Sequence, residues 1–407
     1  MTRPRKMLRL ACAWLAVALL VPAARAHAAA DTAAEAAPDA AWTMSRGSLA
    51  GTGRSESTIA LPLAERWHRR FEKTAFGATP VIDADTIYLG DLDGTFHALA
   101  LDSGTSRWSF KAEAAGFPSS AAVSPDPAVP LVVVGDDTGV VRAFDRATGK
   151  VVWEYETDGE ISGGPTVLPG ADGRPPRVLV GSQDASLSCL ALADGKPFWK
   201  HSIADQIRCS PTVARGPQGD RVFLAGCDGK LHVLDAATGA AITAVPIDGP
   251  TGTTPAASGD RVFFGTEGGA FFAIDFLKGE VAWRMQPAVN PQSYRSSAAV
   301  SGDLVIVGSR GRAVEAFAAA DGARRWRRPM RGKVDASAVV ARRADGGDVV
   351  IAADAAGKIV ALAAGDGAPL WEFDAGGGFS AGPAVAAGKV VLASDDGTVW
   401  CFGTTGR

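Results

Sequence analysis

The chain carries almost no net charge, with 41 Lys and Arg set against 44 Asp and Glu, a balance of −3. That excludes a global pull toward nucleic acid or anionic lipid, so partners have to be sought locally. A single Asn is present, Asn290, whereas a hard-cation site needs several convergent oxygen donors. His68, His97, His201 and His232 are spread over separate stretches without the close spacing of a zinc site, and read as packed or solvated side chains. No Gly-x-x-x-x-Gly-Lys-Ser/Thr run occurs, so the many glycines are turns and not a phosphate cradle. Tyr and Met are scarce. Gly, Pro and Asp recur along the whole length of a chain that is 47% apolar, which favours many short strands joined by tight turns around a large core.

Long hydrophobic runs are also missing, with one instructive exception. Arg3, Arg5, Lys6 and Arg9 precede an apolar stretch from Leu10 to Val21 that is shorter than a membrane span, and Ala24-Arg25-Ala26 follows as a small-x-small cleavage site. Residues 1–26 are therefore expected to be a signal peptide. Cys12 lies inside the apolar stretch and not at its end, so no lipoprotein signal is expected. The Ala-rich stretch 27–41 has no core-forming pattern and reads as a linker. The expected product is a periplasmic or secreted protein with no transmembrane span once the signal is removed.

From Trp42 onward one unit of about forty to fifty residues recurs, the period of propeller blades. Each unit opens with a small residue and Pro or Ser before an apolar strand, as in Thr79-Pro80-Val81, Gly164-Pro165-Thr166 and Ser210-Pro211-Thr212. A second strand ends in a turn such as Asp93-Gly94, Asp228-Gly229 or Asp396-Gly397, where Gly supplies the positive φ of a tight hairpin. Acidic pairs at these turns, Asp136-Asp137 and Asp395-Asp396, read as turn chemistry. A third strand follows, then a Gly, then Trp four residues later: Trp108, Trp153, Trp199, Trp283, Trp326 and Trp371. A flat indole there can staple one blade to its neighbour. After Gly239 the Trp position is Thr243, so that junction is expected to be weaker. Unit starts near Pro80, Ser119, Pro165, Pro211, Pro255, Ser297, Ser337 and Pro383 give eight blades. The last unit lacks its Trp strand and Trp67 lies unpartnered upstream, so the Trp67 strand is expected to close the ring. The fold class expected is an all-β, eight-bladed propeller of four-stranded antiparallel blades over 42–407.

The Asp-x-x-Thr-Gly-x-x-x-Trp pattern from Asp145 to Trp153, with its relatives in most units, resembles the tryptophan-docking motif of quinoprotein-like propellers. Trp42 with Arg46-Gly47 and Thr52-Gly53 resembles the lead-in of that class. The resemblance implies one of two functions. The dehydrogenase branch implies pyrroloquinoline quinone in the funnel, Ca²⁺ on oxygen ligands and a carboxylate base, and in many members a disulfide between adjacent cysteines. This sequence has no adjacent Cys pair and no matching Glu, Asn and Asp set. The non-catalytic branch includes a propeller subunit of outer-membrane barrel assembly. The reading is therefore a non-enzymatic scaffold for proteins of the cell envelope, without a cofactor and monomeric by itself. Quinone-dependent oxidation and small-ligand or carbohydrate binding in the funnel are the alternatives.

Candidate partner-binding residues fall in two places. Just before the inner strands lie Glu160, Gln206, Arg208, Tyr294, Arg295 and Asp335, with Phe76 and Phe379, expected as one mixed ring at a funnel mouth. In the sixth unit Arg295, Arg310, Arg312, Arg324, Arg325, Arg327, Arg328, Arg331 and Lys333 meet only Asp303, Glu315 and Asp321. Arg324, Arg325, Arg327 and Arg328 are the centre of this basic patch. Cys189 and Cys401 occupy a small core position. Cys209 and Cys227 sit at strand ends that antiparallel pairing brings together, and either a disulfide or two thiols is compatible with that placement.

Overall fold

The computed structural model describes Met1, residues 41–171 and residues 173–404. The expected signal peptide and all of the expected linker except Ala41 lie outside the described residues. Every regular element described is a strand, and no described helix is long and apolar enough to cross a membrane. The strands form eight sheets arranged as the repeat requires, each running inner to outer in chain order. Blades 1 to 7 span residues 81–111, 122–156, 166–202, 212–246, 256–285, 299–329 and 339–374. Blade 8 takes its three inner strands from 384–404 and its outer strand from β3 (Leu63–Arg70), paired antiparallel to Thr398–Thr404 with Trp67 opposite Cys401. The N-terminal strand thus closes the ring, and no blade is left with three strands.

Each docking Trp owes its direction to a bulge. Register slips by one residue where the third strand meets the outer one, for example between Ala98 and Leu99, which pair with Trp108 and Ser106 and skip Arg107. The same slip recurs opposite Trp153, Trp199, Trp283, Trp326, Trp371 and Trp67. A bulge re-aims the side chains beside it. The Trp turns onto the next blade, and its predecessor is pushed out of the ladder. The residue facing Trp across the strands is small in every case, Ala or, at Cys189 and Cys401, Cys.

On the receiving blade the indole lies over the turn Gly. A Cβ on Gly195, at φ +72°, would stand 2.7 Å from the Trp153 ring, and the same holds for Gly149 under Trp108, Gly239 under Trp199, Gly322 under Trp283 and Gly367 under Trp326. Most indole N–H groups then donate to the carbonyl three residues before that Gly, as Trp153 does to Leu192 at 2.8 Å and Trp283 to Ala319 at 2.9 Å. Trp371 meets Phe402 of blade 8 edge-on at 5.4 Å.

The junction expected to be weak is filled in another way. Opposite Gly279 stands Thr243, 3.3 Å from a Cβ position there. Three residues before Gly279, where other blades carry Leu, Ala or Arg, blade 5 carries Phe276, 5% exposed and edge-on to Phe223 of blade 4 at 4.9 Å. The aromatic mass comes from the receiving blade in place of the donating one.

Gly195→Ala and Gly279→Ala share the cost of a left-handed φ, about 1 kcal/mol, but only Gly195→Ala drives a methyl into an indole, adding roughly 1–3 kcal/mol. Phe276→Ala is expected to cost about 3–5 kcal/mol, as for other buried Phe. Denaturant melts of the three variants check this; equal loss in both Gly variants would contradict the docking account.

Candidate functional site

The funnel is occupied by the chain itself. β1 (Ala41–Trp42) pairs antiparallel with the inner strand of blade 1, and β2 (Arg54–Ile59) pairs parallel with that of blade 7. Between them residues 43–53 cross the axis and take up inner-strand N–H groups in turn. Val123 donates to Thr43 at 2.8 Å, Val213 to Leu49 at 2.7 Å, Ala257 to Ala50 at 2.8 Å, Val300 to Thr52 at 2.9 Å and Val340 to Gly53 at 2.8 Å. Met44 packs into the apolar cluster of blades 2 and 3, and Ser55 Oγ donates to Val385 O of blade 8 at 2.7 Å. Arg46 lies across this segment, 3% exposed, its Nη2 donating to Ala298 O at 2.9 Å and Ala338 O at 2.8 Å. Gly53 passes so close that a Cβ would stand 2.0 Å from Nη2.

Above the lead-in runs a girdle made by the small residue that opens each unit. The N–H of one blade's residue donates to the hydroxyl of the next: Thr79 to Ser120, Gly164 to Ser210, Ser210 to Thr254, Thr254 to Ser297, Ser297 to Ser337, and Gly382 back to Thr79, at 2.9–3.2 Å. The girdle is interrupted after Ser120 and Ser337, where the next residue is Gly164 or Gly382 and offers no hydroxyl. Beside the lead-in a partly open pocket of about 10 Å³ is lined by Met44, Ser45, Arg46, Thr166, Ser210 and Thr254 among others. That is the room of one water.

The expected mixed ring at the mouth is only partly a ring. Tyr294, Phe76 and Phe379 are not rim residues: they are 3%, 0% and 0% exposed. With Phe117, Ile161, Ile207 and Val334 they form a set of wedges, and those at Phe117, Ile161, Ile207, Tyr294 and Val334 fill space that a Cβ on the neighbouring blade's Gly90, Gly135, Gly181, Gly265 or Gly308 would need. An apolar residue flanked by polar ones is pulled inward by that space. The residue after each wedge is the one left open to solvent, and here the mouth is uneven. Blades 1 to 3 present Gly77, Pro118 and Ser162, whereas blades 4 and 6 to 8 present Arg208, Arg295, Asp335 and Ser380. These are already partnered: Arg208 Nε with Gln206 Oε1 at 2.9 Å, Arg295 Nε with Glu267 Oε1 at 2.8 Å, Asp335 with Arg310 through two bonds, and Ser380 Oγ with Asp395 at 2.6 Å. Glu160 is half-buried and contributes its carbonyl to Gln183 N–H. Glu267, Arg310 and Asp395 were not foreseen as rim partners; each sits on or next to a neighbouring blade's hairpin.

The basic patch resolves into two kinds of Arg on the strand Arg324–Pro329. Arg324 and Arg327 turn to Glu315, 6% exposed, at 3.2 and 3.6 Å, and Tyr294 Oη donates to the same carboxylate at 3.2 Å. They border a cleft of about 110 Å³ with Pro287, Asn290, Gln292 and Ser309. Arg325 is the bulge residue, exposed and outside the ladder. Arg328, half-buried, lies in the field of Glu372. The corresponding bulge residues are Arg66 in blade 8, Arg107 in blade 1, Ala282 in blade 5 and Leu370 in blade 7, but Val152, Phe198 and Ile242 in blades 2 to 4, these three about half exposed. This apolar arc follows from the residue before Trp and was not singled out from the sequence.

Among the described residues no three or more His, Cys, Asp or Glu converge in metal-holding geometry. His97 and His232 each pair with an Asp of their own blade, Asp91 at 2.9 Å and Asp228 at 2.8 Å. Neither these pairs nor the filled axis offers the tricyclic quinone and oxygen-ligated Ca²⁺ of the dehydrogenase branch a fitting set of residues.

A family model described as outer membrane protein assembly factor BamB matches residues 60–160, 137–217, 183–340 and 310–407. The chain belongs to that family. No individual curated protein matches it. Solved structures with the same fold include BamB from Moraxella catarrhalis, 18% identical over 84% of this chain and 100% of that one, with a TM-score of 0.65. Quinohemoprotein alcohol dehydrogenase from Comamonas testosteroni is 16% identical over 92% of this chain and 82% of its own, at 0.70. A europium-containing methanol dehydrogenase is 13% identical over 90% and 98%, at 0.71. The BamB family thus shares its propeller with enzymes, and the likeness to the solved structures concerns the fold alone.

In this BamB-family chain Cys209 and Cys227 are both thiols, so the bridge weighed from the sequence is not formed. The strand ends do meet, with Cys227 N–H donating to Gln206 O at 3.1 Å. Cys209, however, is turned into the apolar interface with Ile207, Leu179 and Val222, while Cys227 Sγ faces Thr251 O at 3.7 Å. Burial pushes the Cys209 thiol up to about 12 and raises that of Cys227. Native alkylation at neutral pH is therefore expected to label Cys227 slowly and to leave Cys189, Cys209 and Cys401 unlabelled until unfolding. A linked Cys209–Cys227 peptide in non-reducing mass mapping would contradict this.

Proposed function

We propose that this protein is an exported, non-enzymatic docking scaffold that engages proteins of the cell envelope, in the manner implied by the name of its family, outer membrane protein assembly factor. The observation that carries the reading is the occupied funnel: residues 43–53 accept inner-strand N–H groups from blades 2, 4, 5, 6 and 7, so binding falls to the mouth and the perimeter. There the blades differ from one another. Blades 6, 8 and 1 present Arg325, Arg66 and Arg107 at the bulge, while blades 2 to 4 present Val152, Phe198 and Ile242. Apolar and cationic groups on one rigid frame suit protein partners, the apolar groups for affinity and the charges for orientation. The basic-patch contribution rests on Arg325 and Arg328, since Arg324 and Arg327 are engaged with Glu315. The likeness to two alcohol dehydrogenases supports a second reading, quinone-dependent oxidation.

One pair of measurements separates them. Calorimetry of the purified mature chain with pyrroloquinoline quinone and Ca²⁺ is expected to show no binding heat. The immobilised chain is expected to retain outer-membrane assembly proteins from detergent-solubilised envelope. Arg325→Glu with Arg328→Glu is expected to weaken that capture about tenfold, through loss of charge steering. Ca²⁺-dependent quinone binding with dye-linked alcohol oxidation would replace the scaffold reading with the enzymatic one.

A further inference from the structure

Among the described residues Arg46 is a buried charge with unpartnered donors. Its side chain is 3% exposed, and its two hydrogen bonds both leave from Nη2 to backbone carbonyls. Nε and Nη1 are buried with no hydrogen-bond partner, and no carboxylate among the described residues forms an ion pair with it. Burial alone lowers its pKa to about 9, so it remains a cation at neutral pH. A buried cation is normally paired or fully hydrogen-bonded, because desolvation costs several kcal/mol per ion.

The cavity that Arg46 helps to line is rich in donors for a reason built into the girdle. Ser210 Oγ accepts from Gly164 N–H and Thr254 Oγ1 accepts from Ser210 N–H. With their oxygens so engaged, both hydroxyls keep a hydrogen to give, and neither finds an acceptor among the described residues. Ser45 adds a third hydroxyl without a described partner. Of the remaining hydroxyls, those of Thr166 and Thr212 already donate to Pro211 O at 2.6 Å and Pro255 O at 2.7 Å, and Ser48 Oγ lies 3.3 Å from Thr52 Oγ1. No Asp or Glu lines the space. The pocket has about 10 Å³ of room, enough for one particle near the size of water, so a monatomic anion suits it better than sulfate, phosphate or a carboxylate.

We propose that this niche is a halide site, in which one chloride sits beside the lead-in as the counter-ion of Arg46, held by the hydroxyls of Ser45, Ser210 and Thr254. The ion ties the lead-in to the inner strands of blades 3 to 5, so it stabilises the ring closure that the lead-in begins. Linkage then makes stability depend on halide concentration.

The test is thermal melting of the purified mature chain at constant ionic strength, with chloride or bromide exchanged for gluconate, which is too large for the niche. Melting is expected to rise by about 2–5 °C between zero and 300 mM halide. Arg46→Met, which keeps the length of the side chain and removes its charge, is expected to melt at one temperature in both salts. Anomalous diffraction from crystals grown in bromide reads the wild-type site without any variant and is expected to show a peak beside Nε or Nη1. Equal melting of the wild type in halide and gluconate would overturn the proposal. So would an equal halide shift in Arg46→Met, a niche holding only water in the bromide crystal, or a bromide peak without a melting shift, which would mark an adventitious ion only.

Discussion

The constraint on which the rest depends lies at the axis. Eight sheets set radially each turn an inner strand toward a narrow channel, and every such strand has an edge of N–H groups that the sheet cannot satisfy. The chain spends its own N-terminal segment on them. Thr43, Leu49, Ala50, Thr52 and Gly53 accept one N–H each from successive blades, and the hydroxyl girdle links the entry residues of neighbouring blades around most of the ring. Having crossed the axis, the same segment moves outward as β2 and β3 and ends as the missing strand of blade 8. Arg54 fastens this exit to Asp348 of blade 7 at 2.5 Å, with Ser301 of blade 6 on the same carboxylate at 2.6 Å.

That solution at the centre shapes what the surface can do. With the axis filled, the wedges and docking indoles fix each blade to the next, and the side chains left to vary are those after the wedge and before the Trp. The first set is largely self-neutralised across neighbouring blades, as in Arg310 with Asp335 and Arg295 with Glu267. The second is thrust outward by the bulge, apolar over blades 2 to 4 and Arg in blades 6, 8 and 1, with Leu370 of blade 7 between the first two of these. The docking positions and the closure belong to the frame and not to any chemistry in the funnel, so the same fold is found in BamB and in dehydrogenases.

The repeat was legible because its punctuation is physical: a hairpin needs Asp-Gly, the indole needs a turn Gly beneath it, and eight units with a strand lacking at one end and a spare at the other require closure by Trp67. Thr243 was legible as a departure but Phe276 as its compensation was not, since the two lie on different blades and neither breaks the pattern of its own strand. Tyr294, Phe76 and Phe379 were misplaced at the mouth for a related reason: nothing local tells that a neighbour's Gly265 opens a slot for Tyr294, or that Phe76 and Phe379 turn into the core between blades. Pairing across blades also hid the neutralisation of Arg324 and Arg327 by Glu315, which a charge count along the sequence records as a surplus. Cys209 and Cys227 were rightly brought together by register, yet register does not set which way a sulfur points.

The most direct measurement of the central claim is amide hydrogen exchange at Val213, Ala257, Val300 and Val340, whose N–H groups donate only into the lead-in. If residues 43–53 fill the funnel, these four amides exchange as slowly as those of the second strands and open only with global unfolding. Exchange at the rate of solvated loops, with the second strands still protected, would mean an open channel and would contradict the account.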